Sequence, residues 1–232
     1  FTQFMRWYDQ AGTPILTVND SYEAATGRYT LHFSQTTKPT PGQPEKQPQV
    51  IPVKLGLIGE AGNELVSDDV VIVDRESVTK TYENIPQRPI PSLLRGFSAP
   101  VRLEMSRRDG DLLALAAHDP DPFNRWQALQ DVEIDLLKRS VVAVRAGGAP
   151  LTDARLAGAI AELIRTSDAD PAFAALAIGL PRETEMAREI AQDIDPDAIG
   201  TAVSGLWKYL GGQLGSMARE TYERLASPVP FS

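Results

Sequence analysis

The stretch PVRLEMSRRDGDLLALAAHDPDPFNRWQALQ, Pro100 to Gln130, decides how the chain is read. Its first six residues read as an extended segment, with Val101, Leu103 and Met105 alternating with charged neighbours. After Asp109 alanine and leucine rise and the apolar period becomes helical. Between the two lies SRRDGD, Ser106–Asp111, polar and broken by Gly110. The change of period places a domain boundary between Met105 and Leu112. The organisation expected from it is an antiparallel Ig-like β-sandwich over 14–108, followed by an all-α, helical-repeat (solenoid-like) domain over 109–232.

Working back from the boundary, the N-terminal half repeats a two-residue period. In GRYTLHFSQT, Tyr29, Leu31 and Phe33 alternate with Arg28, Thr30, His32 and Ser34. That pattern buries one face of a strand. TTKPTPGQPEKQPQ has four prolines and a glycine, so it reads as a loop. VIPVKLGLIG then alternates with Val53, Leu55 and Leu57 on one side. GEAGNE marks a turn, and LVSDDVVIV and SVTKTYENI supply further extended segments. Short strands with Pro and Gly turns predict a sandwich. The Cys and Trp spacing of antibody domains is absent.

Working forward, three helices open on Asp followed by Pro: Asp121-Pro122, Asp170-Pro171 and Asp195-Pro196. Asp accepts hydrogen bonds from first-turn amides, and Pro at the first helical position lacks an amide that would go unpaired. Thr152 in LTDARLAGAIAEL is the expected cap of a fourth helix. Phe123, Trp126, Leu129, Leu136, Leu137, Val141 and Val144 form the expected apolar stripe of the first long helix. Helices of about 10 to 20 residues with short connections predict stacked helical pairs.

At 232 residues, one or two domains are expected. The net charge is −8 and no run of Lys and Arg forms a basic stripe, which argues against nucleic acid as a partner. There is no cysteine, hence no disulfide or thiolate metal site; this fits a reducing compartment, and cytoplasmic localisation is expected. No apolar run is long enough for a membrane span, and no membrane partner is expected.

Motifs that carry chemistry are missing. The two histidines, His32 and His118, fall on the polar face of a strand pattern and at the end of a helix pattern, where solvent or dipole roles are expected. There is no HExxH, no GxSxG, and LGGQLG lacks the GK[ST] of a phosphate loop. DIDPDAIGTAVS alternates Asp193, Asp195 and Asp197, but its sixth and twelfth positions are Ala198 and Ser204 where a calcium loop needs Gly and Glu. Met105, Met186 and Met217, and Trp126 and Trp207, read as core residues. No catalytic, cofactor-binding or metal-ligating residue is assigned.

One stretch fits no domain. FTQFMRWYDQ carries Phe1, Phe4, Met5, Trp7 and Tyr8 with no helix start signal ahead of them. RWYDQAGTPILTV, PGQPEKQPQVIPVKLGL and FSAPVRLEMSRRD, with DPFNRWQALQ, AALAIGLPRETEMA and IDPDAI downstream, resemble the bacterial aminopeptidase N family of zinc metallopeptidases. The resemblance covers essentially the whole chain. It implies the small β-sandwich of those enzymes and the start of their helical C-terminal domain. The zinc ligands and general base would lie upstream, so none maps onto a residue here. Residues 1–13 would leave a catalytic domain, and their aromatic residues would belong to an interface with it. By the same resemblance, the chain is a non-catalytic part of a peptide-trimming zinc enzyme that helps enclose its chamber and limits access of peptide substrates. A break in the helical stack would expose Leu206, Trp207, Tyr209, Leu210, Leu214, Met217, Tyr222 and Leu225 and favour self-association. The other reading is a free-standing sandwich-plus-helix adaptor module.

Overall fold

Alternation in the N-terminal half becomes two packed sheets. In the computed structural model, residues 2–226 are described. The strands are β1 (Ile15–Glu23), β2 (Arg28–Thr36), β3 (Ile51–Ile58), β4 (Glu64–Val73), β5 (Ser77–Tyr82), β6 (Ile90–Leu93) and β7 (Arg102–Met105). One sheet has the order β5-β2-β1-β7, the other β4-β3-β6. Tyr29, Leu31 and Phe33 point inward from β2, and Val53, Leu55 and Leu57 from β3. Leu16, Val18, Val71 and Val73 complete the centre of the core. Each such side chain contributes on the order of 2 kcal/mol by leaving water.

The sheets are not antiparallel throughout. β7 runs parallel to β1, pairing Ile15 with Arg102 and Val18 with Met105. The cause is a crossing: β6 belongs to the other sheet, so the chain changes sheets before β7 and arrives along β1 in the same direction. The turn that starts the crossing holds Leu94, Gly96 and Phe97 at φ of 59°, 62° and 53°. This is a left-handed conformation that favours glycine, and Leu94 and Phe97 adopt it at a cost.

The N-terminal segment forms one helical turn, α1 (Arg6–Asp9). Trp7 packs against the sandwich core and its Nε1 donates to Val50 O at 2.9 Å. Gln10 Nε2 donates to Gln47 O at 2.9 Å, and Arg6 donates to Pro48 O. The proline-rich segment before β3 cannot join a ladder itself, so the side chains of α1 take up its carbonyls. Trp7 therefore packs on the sandwich, which departs from the expectation that the aromatics here face a missing surface; Phe1 lies outside the described residues. Phe4 and Tyr8 do face outward, 48% and 75% exposed, with ring centroids 6.2 Å apart.

The second compact unit spans Leu112–Ser232, the first Phe1–Asp111. The helices that follow β7 are α2 (Asp111–His118), α3 (Pro122–Arg145), α4 (Ala154–Arg165), α5 (Pro171–Ala177), α6 (Glu183–Ile190) and α7 (Pro196–Leu225). Asp121, Asp170 and Asp195 cap α3, α5 and α7, accepting from Asn124, Phe173 and Ala198 amides at 2.9, 2.9 and 3.0 Å. The fourth cap is Asp153, not Thr152: its carboxylate accepts from Arg155 N at 2.7 Å. Asp is as good a cap as Thr or better, and the neighbouring Asp takes the position.

α7 is the spine of this unit and packs against α3, α4 and α6. Ala198, Ile199, Ala202, Val203, Leu206, Leu210 and Leu214 lie on its buried face at helical spacing. Two helices exceed the expected length, α3 at 24 residues and α7 at 30. Of the terminal apolar residues, Leu206, Leu210 and Leu214 are buried, while Trp207 and Tyr222 are 50% and 74% exposed. On α3 the buried stripe is Ala128, Leu129, Glu133, Leu136, Leu137, Ser140 and Val141. Phe123 lies outside it, exposed and tilted onto Trp126 with centroids 5.8 Å apart.

Candidate functional site

The two histidines do not come together in any site. His32 is exposed on β2, and its Nδ1 lies 3.0 Å from Thr79 Oγ1 across the β2–β5 pair. No carboxylate bonded to the ring is seen, so the pair lacks the third group that orients a base toward a nucleophile. His118 is exposed in the last turn of α2. Asp195 is engaged as the α7 cap. Among the described residues no group of three or more His, Cys, Asp or Glu is placed to hold a metal ion.

What the first unit builds instead is a buried polar clamp. Gln35 is 5% exposed, and its Nε2 lies 2.8, 3.0 and 3.1 Å from the carbonyl oxygens of Gln49, Val73 and Arg75. Its Oε1 accepts from Gln49 N at 2.8 Å. One amide thus joins the end of β2, the segment entering β3 and the end of β4. Sequence parity could have found it: Gln35 continues the inward series Tyr29, Leu31, Phe33.

An open cleft of about 540 Å³ lies beside this clamp, lined in part by Ser34, Thr36, Lys46, Glu76 and Ser77. Its one ammonium is already engaged. Lys46 Nζ donates to Ala11 O, Thr40 Oγ1 and Gln43 Oε1 at 2.8, 2.7 and 2.7 Å. Lys46 therefore shapes the proline-rich loop. Elsewhere in the unit Asp20 accepts from Arg88 Nη2 at 3.0 and 2.9 Å. Burial, then the nearby Asp20 charge, push the Tyr29 hydroxyl well above the usual phenol range. Arg95 is 4% exposed and donates to Ser92 Oγ at 2.8 Å and to Glu64 Oε1 at 2.6 Å. Its guanidinium lies over Gly56, where a side chain would collide with it.

The second unit holds two buried carboxyls among the described residues, Asp119 and Glu133. Glu133 has no solvent exposure, and burial pushes its pKa from 4.5 to about 9. The sequence signal was its position four residues from both Leu129 and Leu137, within the apolar stripe. These groups tie elements together.

Residues 12–106 match the family described as "Domain of unknown function (DUF3458) Ig-like fold", and residues 109–232 match "Domain of unknown function (DUF3458_C) ARM repeats". The chain is 36% identical to aminopeptidase N of Escherichia coli (strain K12) over 220 residues, covering 92% of this chain and 25% of that protein. It is 38% identical to aminopeptidase N of Caulobacter vibrioides over 231 residues, covering 99% and 26%. To aminopeptidase N of Haemophilus influenzae it is 36% identical over 235 residues, covering 98% and 26%. The crystal structure of Legionella pneumophila aminopeptidase A in complex with aspartic acid superposes with a TM-score of 0.81 at 26% identity, over 100% of this chain and 26% of that one. The chain spans about a quarter of the length of these relatives.

Proposed function

Since the chain belongs to the family of Ig-like and ARM-repeat domains that forms a quarter-length segment of aminopeptidase N, we propose that it is a non-catalytic part of a zinc aminopeptidase. The observation that carries this reading is collinear similarity over 92–99% of the chain to aminopeptidases, in a sequence without HExxH. A zinc held elsewhere in such an enzyme would supply Lewis-acid chemistry for peptide hydrolysis, and no residue of this chain is assigned to hold it. The sandwich packs beside the catalytic domain. The ARM repeats help enclose the chamber and restrict entry to short or unfolded peptides. The proposed compartment is the cytoplasm.

The test compares the purified 232-residue chain with the complete gene product, using metal analysis and hydrolysis of an aminoacyl-4-nitroanilide. Turnover and stoichiometric zinc are expected in the complete product alone. Zinc-dependent turnover by the 232-residue chain would overturn the proposal. A complete product that lacks HExxH and turnover would instead support the adaptor reading.

A further inference from the structure

Glu133 lies in the middle of α3, on the face that packs against α5, α6 and α7. Its Oε2 accepts from Gln130 Nε2 at 3.0 Å. The same Nε2 lies 3.0 Å from Gly179 O, in the connection between α5 and α6. Its Oε1 has no hydrogen-bond partner among the described residues. Among the described residues no ion pair to Glu133 compensates the carboxyl. α5 carries no ionisable residue. At the start of α6, Glu185 is engaged with Arg182; farther along, Glu189 pairs with Lys138, and Arg188 is exposed. The Glu183 carboxylate lies against Gly200 of α7. On α7, Asp197 and Lys208 are exposed. On α3 itself the nearby Asp131, Asp135 and Arg139 are exposed, and the last two pair with each other. A fully buried carboxyl without a counter-charge is stable only in its neutral form.

We propose that Glu133 is a protonated latch for the α5–α6 corner: its carboxyl is uncharged while α3 is closed on residues 178–182 and loses its proton when that connection lifts, so that rising pH favours opening. Gln130 ties α3 to this corner at the Gly179 carbonyl. Leu180, Pro181 and Met186 are buried at this corner. Once open, Glu133 meets water and behaves as an ordinary carboxyl with a pKa near 4.5, whereas the closed form holds its proton up to about 9. Between those values each pH unit increases the open-to-closed ratio about tenfold. Physiological pH falls within this window, so the latch responds to small changes there.

Hydrogen exchange on the 232-residue chain tests this, with protection factors normalised to intrinsic rates and compared between the wild type and Glu133→Gln at matched pH. Amides of 174–190 in the wild type are expected to lose protection about tenfold per pH unit from pH 6 to 8 relative to Glu133→Gln. Parallel pH dependence of these amides in the two proteins would overturn the latch. So would a Glu133 effect confined to amides that exchange only by global unfolding. Should Glu133→Gln fail to fold, a ¹³C carboxyl titration of the wild type decides by itself. A Glu133 midpoint well above 7 supports the latch, and a midpoint near 4.5 overturns it.

Discussion

Single buried polar residues hold this chain's elements in register. Gln35 shares its side-chain NH2 among three backbone carbonyls and accepts from one backbone amide. Gln35→Leu keeps much of the volume and strands those groups. It is expected to cost about 2–4 kcal/mol by urea unfolding, because buried backbone polar groups without partners pay their desolvation. Glu133 behaves in the opposite sense. Its folded-state pKa is raised, so its contribution is fully present below about 4.5 and is lost as pH rises from there to about 9. The expected slope is a loss of roughly 1.4 kcal/mol per pH unit, or about 3 kcal/mol by pH 7. Urea unfolding at pH 5, 6, 7 and 8 checks it. Glu133→Gln should flatten that slope and leave any pH dependence due to other groups.

At the scale of elements, helix ends and close approaches set the geometry. Asp195 starts the 30-residue α7, the helix against which α3, α4 and α6 pack. Asp195→Ala leaves the Ala198 amide without its acceptor and is expected to lower stability by about 1 kcal/mol. An Asn at this position should recover most of the loss, whereas no recovery would show that the cap is not the cause. Gly205 marks a close approach within α7. A Cβ there would lie 2.5 and 2.6 Å from Cβ and Cγ of Pro150, in the connection between α3 and α4. In an open helix Gly→Ala gains up to about 1 kcal/mol. Here the rigid proline ring stands in the way, so Gly205→Ala is expected to destabilise by about 1–2 kcal/mol in thermal unfolding. A raised melting temperature would refute the contact.

At the scale of the whole molecule there are two compact units, Phe1–Asp111 and Leu112–Ser232, each with its own buried core. Residues 1–111 expressed alone are expected to fold cooperatively with the circular dichroism of a β protein. A non-cooperative or helical product would contradict an autonomous core. The two fold classes were legible in the amino-acid order, because period two and period 3.6 are consequences of backbone geometry. Tyr29, Leu31 and Phe33 could face one way only, and Asp121-Pro122, Asp170-Pro171 and Asp195-Pro196 each begin a helix. The resemblance to aminopeptidase N was legible as well, since it rests on collinear segments. Three features were settled only in three dimensions. The parallel β1–β7 pair depends on which sheet receives the chain after Leu94, a choice no local period encodes. Trp7 joined the sandwich while Phe4 and Tyr8 faced outward, because the proline-rich segment left carbonyls that the side chains of α1 could reach. Glu133, an acidic residue within a helical apolar stripe, is buried by the helices packed around α3. The residue type specifies a carboxyl; whether that carboxyl keeps its proton depends on how much water and how much opposite charge the surrounding helices leave beside it.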